Sequence, residues 1–141
     1  MRISRQVISI FGLTTALGLC PLCVLAGGLS EASHVEAIDG TELKRVTLTS
    51  KAAERLNIKT AKMSAGESGR LIAPYAALLY DTHGATWVYT NPEPLAYVRQ
   101  PVVVESVDGQ HAILTKGPPP GSTVVVVGAA ELYGAEIGVG H

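Results

Sequence analysis

The sequence predicts a mainly β fold: a small β-barrel or sandwich with one short helix, preceded by an N-terminal apolar helix. Turn-forming residues separate short β-rich runs throughout residues 71–127. No long stretch of the chain repeats with a helical period. With 141 residues, of which 47% are hydrophobic and 16% charged, the chain can bury one core and is not typical of a disordered protein.

Residues 1–33 have the plan of an export signal. Arg2 and Arg5 precede an apolar stretch in which the next charge is Glu31. A basic start before an apolar run is typical of a secretory signal, and this run also has about the 20 residues that a membrane helix needs. A cleaved signal peptide and an uncleaved membrane anchor both remain open. Either one carries the rest of the chain out of the cytoplasm.

The first half of the exported part predicts strands around one helix. Ser50 is the predicted N-cap of a helix over 50–57, and Asn57 suits the left-handed position that ends it. Alternating apolar and polar residues predict a strand before this helix and another after it. The assignments are a linker at 34–43, strands at 45–49 and 58–63, and a turn at 64–69.

The second half predicts strand after strand. Gly84 and the Asp108-Gly109 pair mark two hairpin turns, at 81–84 and 108–109. The continuous apolar run at 123–127 indicates a strand that is buried on both faces. The further assignments are strands at 76–80, 86–90 and 110–115, one or two strands over 95–107, a loop at 117–121, a β domain spanning 44–135 and a tail at 136–141.

Composition and motifs exclude several function classes. A net charge of −1 gives no electrostatic basis for binding nucleic acid. No catalytic motif and no paired carboxylates are visible, so we expect no enzyme, cofactor or metal site. Cys20 and Cys23 form a C-x-x-C pair, but they lie in the apolar stretch and lack the context of a redox motif. A metal- or ligand-binding protein that uses His83 or His111, or a small redox protein, remains an alternative.

The block from 74 to 132 resembles the C-terminal end of periplasmic adaptor subunits, or membrane fusion proteins, of RND-type efflux systems. Upstream, VTLTSKAAERLNIKTAKM (46–63) is similar to the segment with which many heavy-metal-type adaptors begin. Two departures are Pro118, where the family usually has Leu, and Ser122, where it usually has an acid. The matching residues, in the family's order, are Pro74, Ala77, Leu78, Gly84, Trp87–Tyr89, Arg99, Val102–Val104, Gly109, Ile113, Leu114, Gly117, Gly121, Val124–Gly128 and Leu132.

The resemblance implies a membrane-proximal domain alone. Residues 64–70 stand where a full adaptor has a barrel, a lipoyl domain and a helical hairpin. In the family this domain lies against the inner-membrane pump. The expectation is a non-catalytic periplasmic accessory subunit that binds an inner-membrane RND transporter in the export of metal ions or drugs. Other adaptor copies, and the membrane through the N-terminal segment, are further expected partners, and a degenerate remnant without function is the remaining alternative.

Seven basic residues are concentrated in 44–70, where only Glu54 and Glu67 oppose them. This pattern is typical of a solvated helix face, and it also fits a basic edge that faces anionic lipid or an acidic protein partner. The docking elements predicted from it are this basic segment and the loops at 91–94 and 117–121. The predicted partner-binding residues are Lys51, Arg55, Lys59, Asn91, Glu93 and Pro119.

Overall fold

A computed structural model describes residues 32–138 of the chain. Within that range it has ten strands and two α-helices, with short 3-10 turns at Glu67–Gly69 and Tyr75–Ala77. The strands are β1 (Ser33–Ala37), β2 (Lys44–Leu48), β3 (Lys59–Lys62), β4 (Ser64–Ala65), β5 (Leu71–Pro74), β6 (Leu79–Tyr80), β7 (Thr86–Glu93), β8 (Ala96–Asp108), β9 (His111–Lys116) and β10 (Thr123–Val127). The helices are α1 (Ser50–Arg55) and α2 (Ala129–Ile137).

The strands form one antiparallel sheet that curls into a nearly closed barrel, so the predicted mainly β class is confirmed. Its order is β3-β10-β7-β8-β9-β5-β4; β2 also pairs with β8 and with β1, and β6 pairs with β7. The 13-residue strand β8 pairs with β2 and β7 in its first part and mainly with β9 in its second. Bulges near Val104 bend β8 between these parts, because an extra residue in one strand increases its local twist.

The core has two clusters, one on each face of the central strands. Val88 of β7 and Val124 of β10 belong to the first cluster, whereas their chain neighbours Tyr89 and Val125 belong to the second. Successive strand residues point to opposite faces, so β7 and β10 are buried on both. The sequence prediction of a doubly buried strand at 123–127 is confirmed at Val124 and Val125, whereas Val127 at its end is 39% exposed. Residues of α1 and α2 complete the second cluster, where Ala52 and Leu132 are buried.

The predicted turns and the first helix are confirmed. Gly84 and Gly109 adopt positive φ angles of 82° and 58° in the two hairpin turns. Asn57 has a φ of 50° just beyond α1. One detail of the helix prediction is wrong: the N-cap is Thr49, whose side-chain oxygen accepts the amide N–H of Ala52 at 3.2 Å, and Ser50 is already the first helical residue.

Several segments differ from their predicted state. The strand predicted at 76–80 begins as the 3-10 turn Tyr75–Ala77, and β4 and β7 extend into the predicted turn 64–69 and the predicted loop 91–94. The linker and the tail differ more. The expected linker at 34–43 contains most of β1, which pairs with β2 from Ser33↔Leu48 to Ala37↔Lys44. The expected tail at 136–141 begins inside α2, which is bracketed by the positive-φ residues Gly128 and Gly138. Both segments are short and weakly patterned, and pairing or packing with distant residues decides their structure.

The predicted N-terminal apolar helix lies outside the described residues, as do residues 1–31 of the export signal predicted at 1–33; its last residue, Ser33, begins β1. Among the helices within residues 32–138, none has the length and the hydropathy needed to cross a bilayer.

Candidate partner-binding surface

Helix α1 holds two of the predicted binding residues on one exposed stripe. Lys51 and Arg55 are four residues apart, a spacing that places them on the same side of a helix. Ala52 anchors the neighbouring side in the second core cluster. The exposure of both cations follows from this anchoring, because the buried side fixes the rotation of the helix.

Lys59 begins β3 directly after the reversal that ends α1. The amide of Ile58 donates to the carbonyl of Ala53 at 3.1 Å, which turns the chain from the helix into the strand. The side chain of Lys59 is exposed. Its backbone lies opposite Val127 of β10, at the end of β3 nearest the helix.

The predicted residues Asn91 and Glu93 lie in the last part of β7, next to the turn at 94–95 that leads into β8. The side-chain amide of Asn91 donates to the carbonyl oxygens of Glu93 at 2.7 Å and Ala96 at 2.9 Å. These two hydrogen bonds of Asn91 stabilise the turn, in which Leu95 adopts a left-handed φ of 63°. The carboxylate of Glu93 lies 3.3 Å from the guanidinium of Arg45, so it is paired within the chain.

An open cleft of about 560 Å³ lies between α1 and this turn. Its volume is in the usual range for small-ligand sites. Of the predicted binding residues, it includes Asn91 alone, and Glu54 is the one charged side chain of the lining. The lining residues are Ser50, Ala53, Glu54, Asn57, Ile58, Thr60, Asn91, Leu95 and Tyr97.

Pro119 lies on the exposed loop 117–121, which is fastened to the end of β3. The amide of Gly121 donates to the carbonyl of Met63 at 2.8 Å, and the amide of Ser122 donates to the carbonyl of Pro119 at 3.1 Å. Its neighbour Pro118 is fully buried. The loop therefore joins β3 at the end opposite Lys59.

The tertiary structure divides the basic segment into paired and unpaired cations. Arg70 donates two hydrogen bonds of 2.6 Å to Glu105, and this hydrogen bonding lowers the pKa of the Glu105 carboxyl below its ordinary value. Arg45 is paired with Glu93. Within residues 32–138, five exposed cations of the segment form no ion pair: Lys44, Lys51, Arg55, Lys59 and Lys62. Of these, Lys44 donates to the backbone carbonyl of Glu136 at 3.3 Å.

A buried ion pair that the sequence did not predict joins β8 to α2. Nη2 of Arg99 donates to Oε1 of Glu136 at 2.9 Å, and the side chains are 14% and 2% exposed. The hydroxyl of Tyr89 donates to the other carboxylate oxygen of Glu136 at 2.5 Å. Burial, and then this hydrogen bond to Glu136, raise the pKa of the Tyr89 phenol well above its ordinary value of 10.0.

Two aromatic rings surround the guanidinium of Arg99. Its central carbon lies 4.2 Å from the ring centre of Trp87 and 5.2 Å from that of Tyr133, within the range of cation–π attraction. The indole N–H of Trp87 donates to Asp81 at 2.9 Å, which lowers the pKa of the Asp81 carboxyl. Arg99 therefore links the 81–84 hairpin to the C-terminal helix. No local pattern marks this arrangement, since its members are far apart in the sequence.

The histidines considered as metal ligands lie on exposed turns. His83 is in the 81–84 turn, where its backbone N–H donates to Asp81 at 2.9 Å, and His111 follows the 108–109 turn. In the part of the chain that the structure describes, no three His, Cys, Asp or Glu side chains are grouped closely enough to hold a metal ion. Cys20 and Cys23 lie outside that part.

No protein-family model, no curated protein and no solved structure matches this chain.

Proposed function

We propose that this protein is a non-catalytic periplasmic accessory subunit that associates with an inner-membrane RND efflux transporter. The observation that carries the proposal is the way in which the two adaptor-like segments combine. In the upstream segment, β3 pairs with β10 and β2 pairs with β8, and both partners belong to the downstream segment. A membrane-proximal adaptor domain is built from two separated parts of its chain, so it requires strands of one part to pair with strands of the other.

The connection between the two segments supports an accessory role without a bridging role. Ser64 pairs with Ile72 and Ala65 with Leu71, and the amide of Gly66 donates to the carbonyl of Arg70 at 2.8 Å. This tight turn stands where a full adaptor carries its helical hairpin. The subunit would therefore bind a pump without spanning the periplasm to the outer membrane.

The unpaired cations and the exposed loops provide the contact surface in this proposal. Lys51, Arg55 and Lys59 are exposed and form no ion pair within residues 32–138. Charges at the rim of an interface mainly set the association rate and its salt dependence. Their reversal should weaken the complex most clearly at low salt and leave the fold intact.

Co-purification tests the proposal. The full chain, with an affinity tag at its C-terminus, is expressed with each RND transporter of the same organism, and transporter recovery is compared at low and high salt. We expect recovery with the wild type and reduced recovery with the triple variant Lys51→Glu, Arg55→Glu and Lys59→Glu. Lys116→Glu, a reversal at the end of β9, serves as the control and should retain recovery. Failure of the wild type to recover any transporter would refute the proposed function.

Export is tested separately. A phosphatase that folds only outside the cytoplasm, fused after His141, should be active in cells. Activity of a reporter that works only in the cytoplasm would contradict the periplasmic location.

A further inference from the structure

Strand β3 has an unpaired edge. It stands at one end of the strand order, and among residues 32–138 only β10 pairs with it. Met63, just after β3, exchanges backbone hydrogen bonds with the 121–122 segment at 2.8 and 2.9 Å. Because backbone groups alternate in direction along an antiparallel strand, Ala61 also faces β10, whereas the N–H and C=O groups of Thr60 and Lys62 face outward.

The side chains of this edge determine which partner it can accept. Lys59 and Lys62 stand at the two ends of β3, and both are exposed. Antiparallel pairing of β3 with a second copy of itself would bring four exposed lysines, Lys59 and Lys62 of each copy, together along one pair of strands, and like charges on neighbouring strands are destabilising. Lysines on an edge strand oppose self-association in this way. The same charges favour an incoming strand that carries carboxylates.

We propose that β3 accepts an extended acidic segment of a partner protein as an additional antiparallel strand. Main-chain hydrogen bonds to Thr60 and Lys62 would supply affinity, as in other cases of strand addition. A lipid surface satisfies these outward N–H and C=O groups less well. Hydrogen bonds between strands are directional, and only another extended backbone presents donors and acceptors at the same spacing. The inference rests on the proposed function, under which the partner strand belongs to the periplasmic part of the pump.

The cleft beside α1 adds a sequence preference to this edge. Thr60 belongs both to β3 and to the cleft, where Glu54 is the carboxylate of the lining. An acidic side chain opposite Thr60 would therefore meet a like charge, whereas acidic side chains opposite Lys59 and Lys62 would meet opposite charges. The partner segment should read Glu-x-x-Glu, with neutral β-forming residues between the two acids.

The test uses the full chain in detergent and a fluorescent peptide, TTEVTETT, acetylated and amidated at its ends. We expect saturable binding by fluorescence anisotropy, and a loss of affinity of about tenfold for the double variant Lys59→Glu and Lys62→Glu, which removes two attractive pairs and adds repulsion. Thr60→Pro deletes an outward donor without removing a bond to β10, so it should abolish binding. Thr60→Val keeps that donor and should bind as the wild type does, and Lys116→Glu is the charge control.

Changes to the peptide keep the test decisive if a protein variant fails to fold. The lysine counterpart TTKVTKTT and a peptide N-methylated on alternate residues should both fail to bind. Equal binding of the methylated peptide would overturn strand addition, since only charge would then be recognised. Binding to phosphatidylglycerol vesicles without binding to TTEVTETT would also overturn the inference, in favour of a lipid surface.

This experiment contains no transporter, so its outcome is separate from that of the co-purification. Recovery of a transporter without peptide binding would retain the proposed function and refute the acidic strand. Peptide binding without transporter recovery would retain the acidic-strand specificity of β3 and refute the pump as its source.

Discussion

Replacement of Glu136 by Ala should strongly destabilise the fold, because it leaves the positive charge of Arg99 without its counter-ion. The carboxylate of Glu136 is the acceptor for both Arg99 and the hydroxyl of Tyr89. Nε of Arg99 already finds no acceptor among the described residues. After the substitution, the guanidinium would keep its cation–π contacts with Trp87 and Tyr133 but would lose its carboxylate acceptor.

The expected loss in the free energy of unfolding follows from the burial of these groups. Removal of one partner of a buried ion pair costs about 3–5 kcal/mol. The Arg99 side chain keeps 14% of its exposure, so partial hydration places its share near the lower limit. The Tyr89 hydroxyl then also lacks an acceptor, which adds about 1–3 kcal/mol. We expect a total of about 4–6 kcal/mol, a large fraction of the 5–15 kcal/mol typical of a domain.

Urea unfolding of the full chain at pH 7, followed by fluorescence, measures this loss directly. Trp87 is the single tryptophan of the chain and lies against Arg99, so it reports on the relevant packing. Glu131→Gln is the matched control, because Glu131 is exposed on the same helix and should change stability by less than about 0.5 kcal/mol.

A second variant separates charge burial from packing. The double substitution Arg99→Met and Glu136→Leu removes both charges together and should be much less destabilising than Glu136→Ala alone. A loss below about 1 kcal/mol for Glu136→Ala would refute the reasoning, because it would mean that Glu136 is not the buried partner of Arg99. An equal loss for the double variant would attribute the effect to packing alone.

Three further predictions concern pH, capping and one glycine. The pKa of the Tyr89 phenol is raised in the folded state, so its contribution to the free energy of unfolding is complete below about pH 10 and declines above it. Tyr89→Phe should reduce this decline by up to about 1.4 kcal/mol per pH unit, measured in urea titrations at successive pH values. Thr49→Ala should lower the unfolding free energy by about 1 kcal/mol, whereas an equal loss for Ser50→Ala would contradict the assignment of the N-cap. Gly128→Ala should lower the melting temperature, because φ is +91° there and a Cβ would overlap Ile58; an unchanged melting curve would contradict this close approach.

The amino-acid sequence by itself determined the features that depend on local chemistry. Gly84 and Gly109 supplied the positive φ angles of two hairpin turns, and Asn57 supplied the one that follows α1. The apolar run at 123–127 indicated a doubly buried strand because no polar residue interrupts it. These signals are readable since the residues that cause each feature are neighbours in the chain.

Only the tertiary structure decided the features that join distant residues. β1 is a strand because β2 pairs with it, and the buried face of α2 depends on partners from β7 and β8. The sequence also concentrates positive charge in 44–70, but Arg45 and Arg70 form ion pairs with acidic residues that lie far along the chain. The free cations, the open edge of β3 and the buried Arg99–Glu136 pair therefore become visible only once the strands are arranged, because burial and charge pairing are properties of neighbours in space.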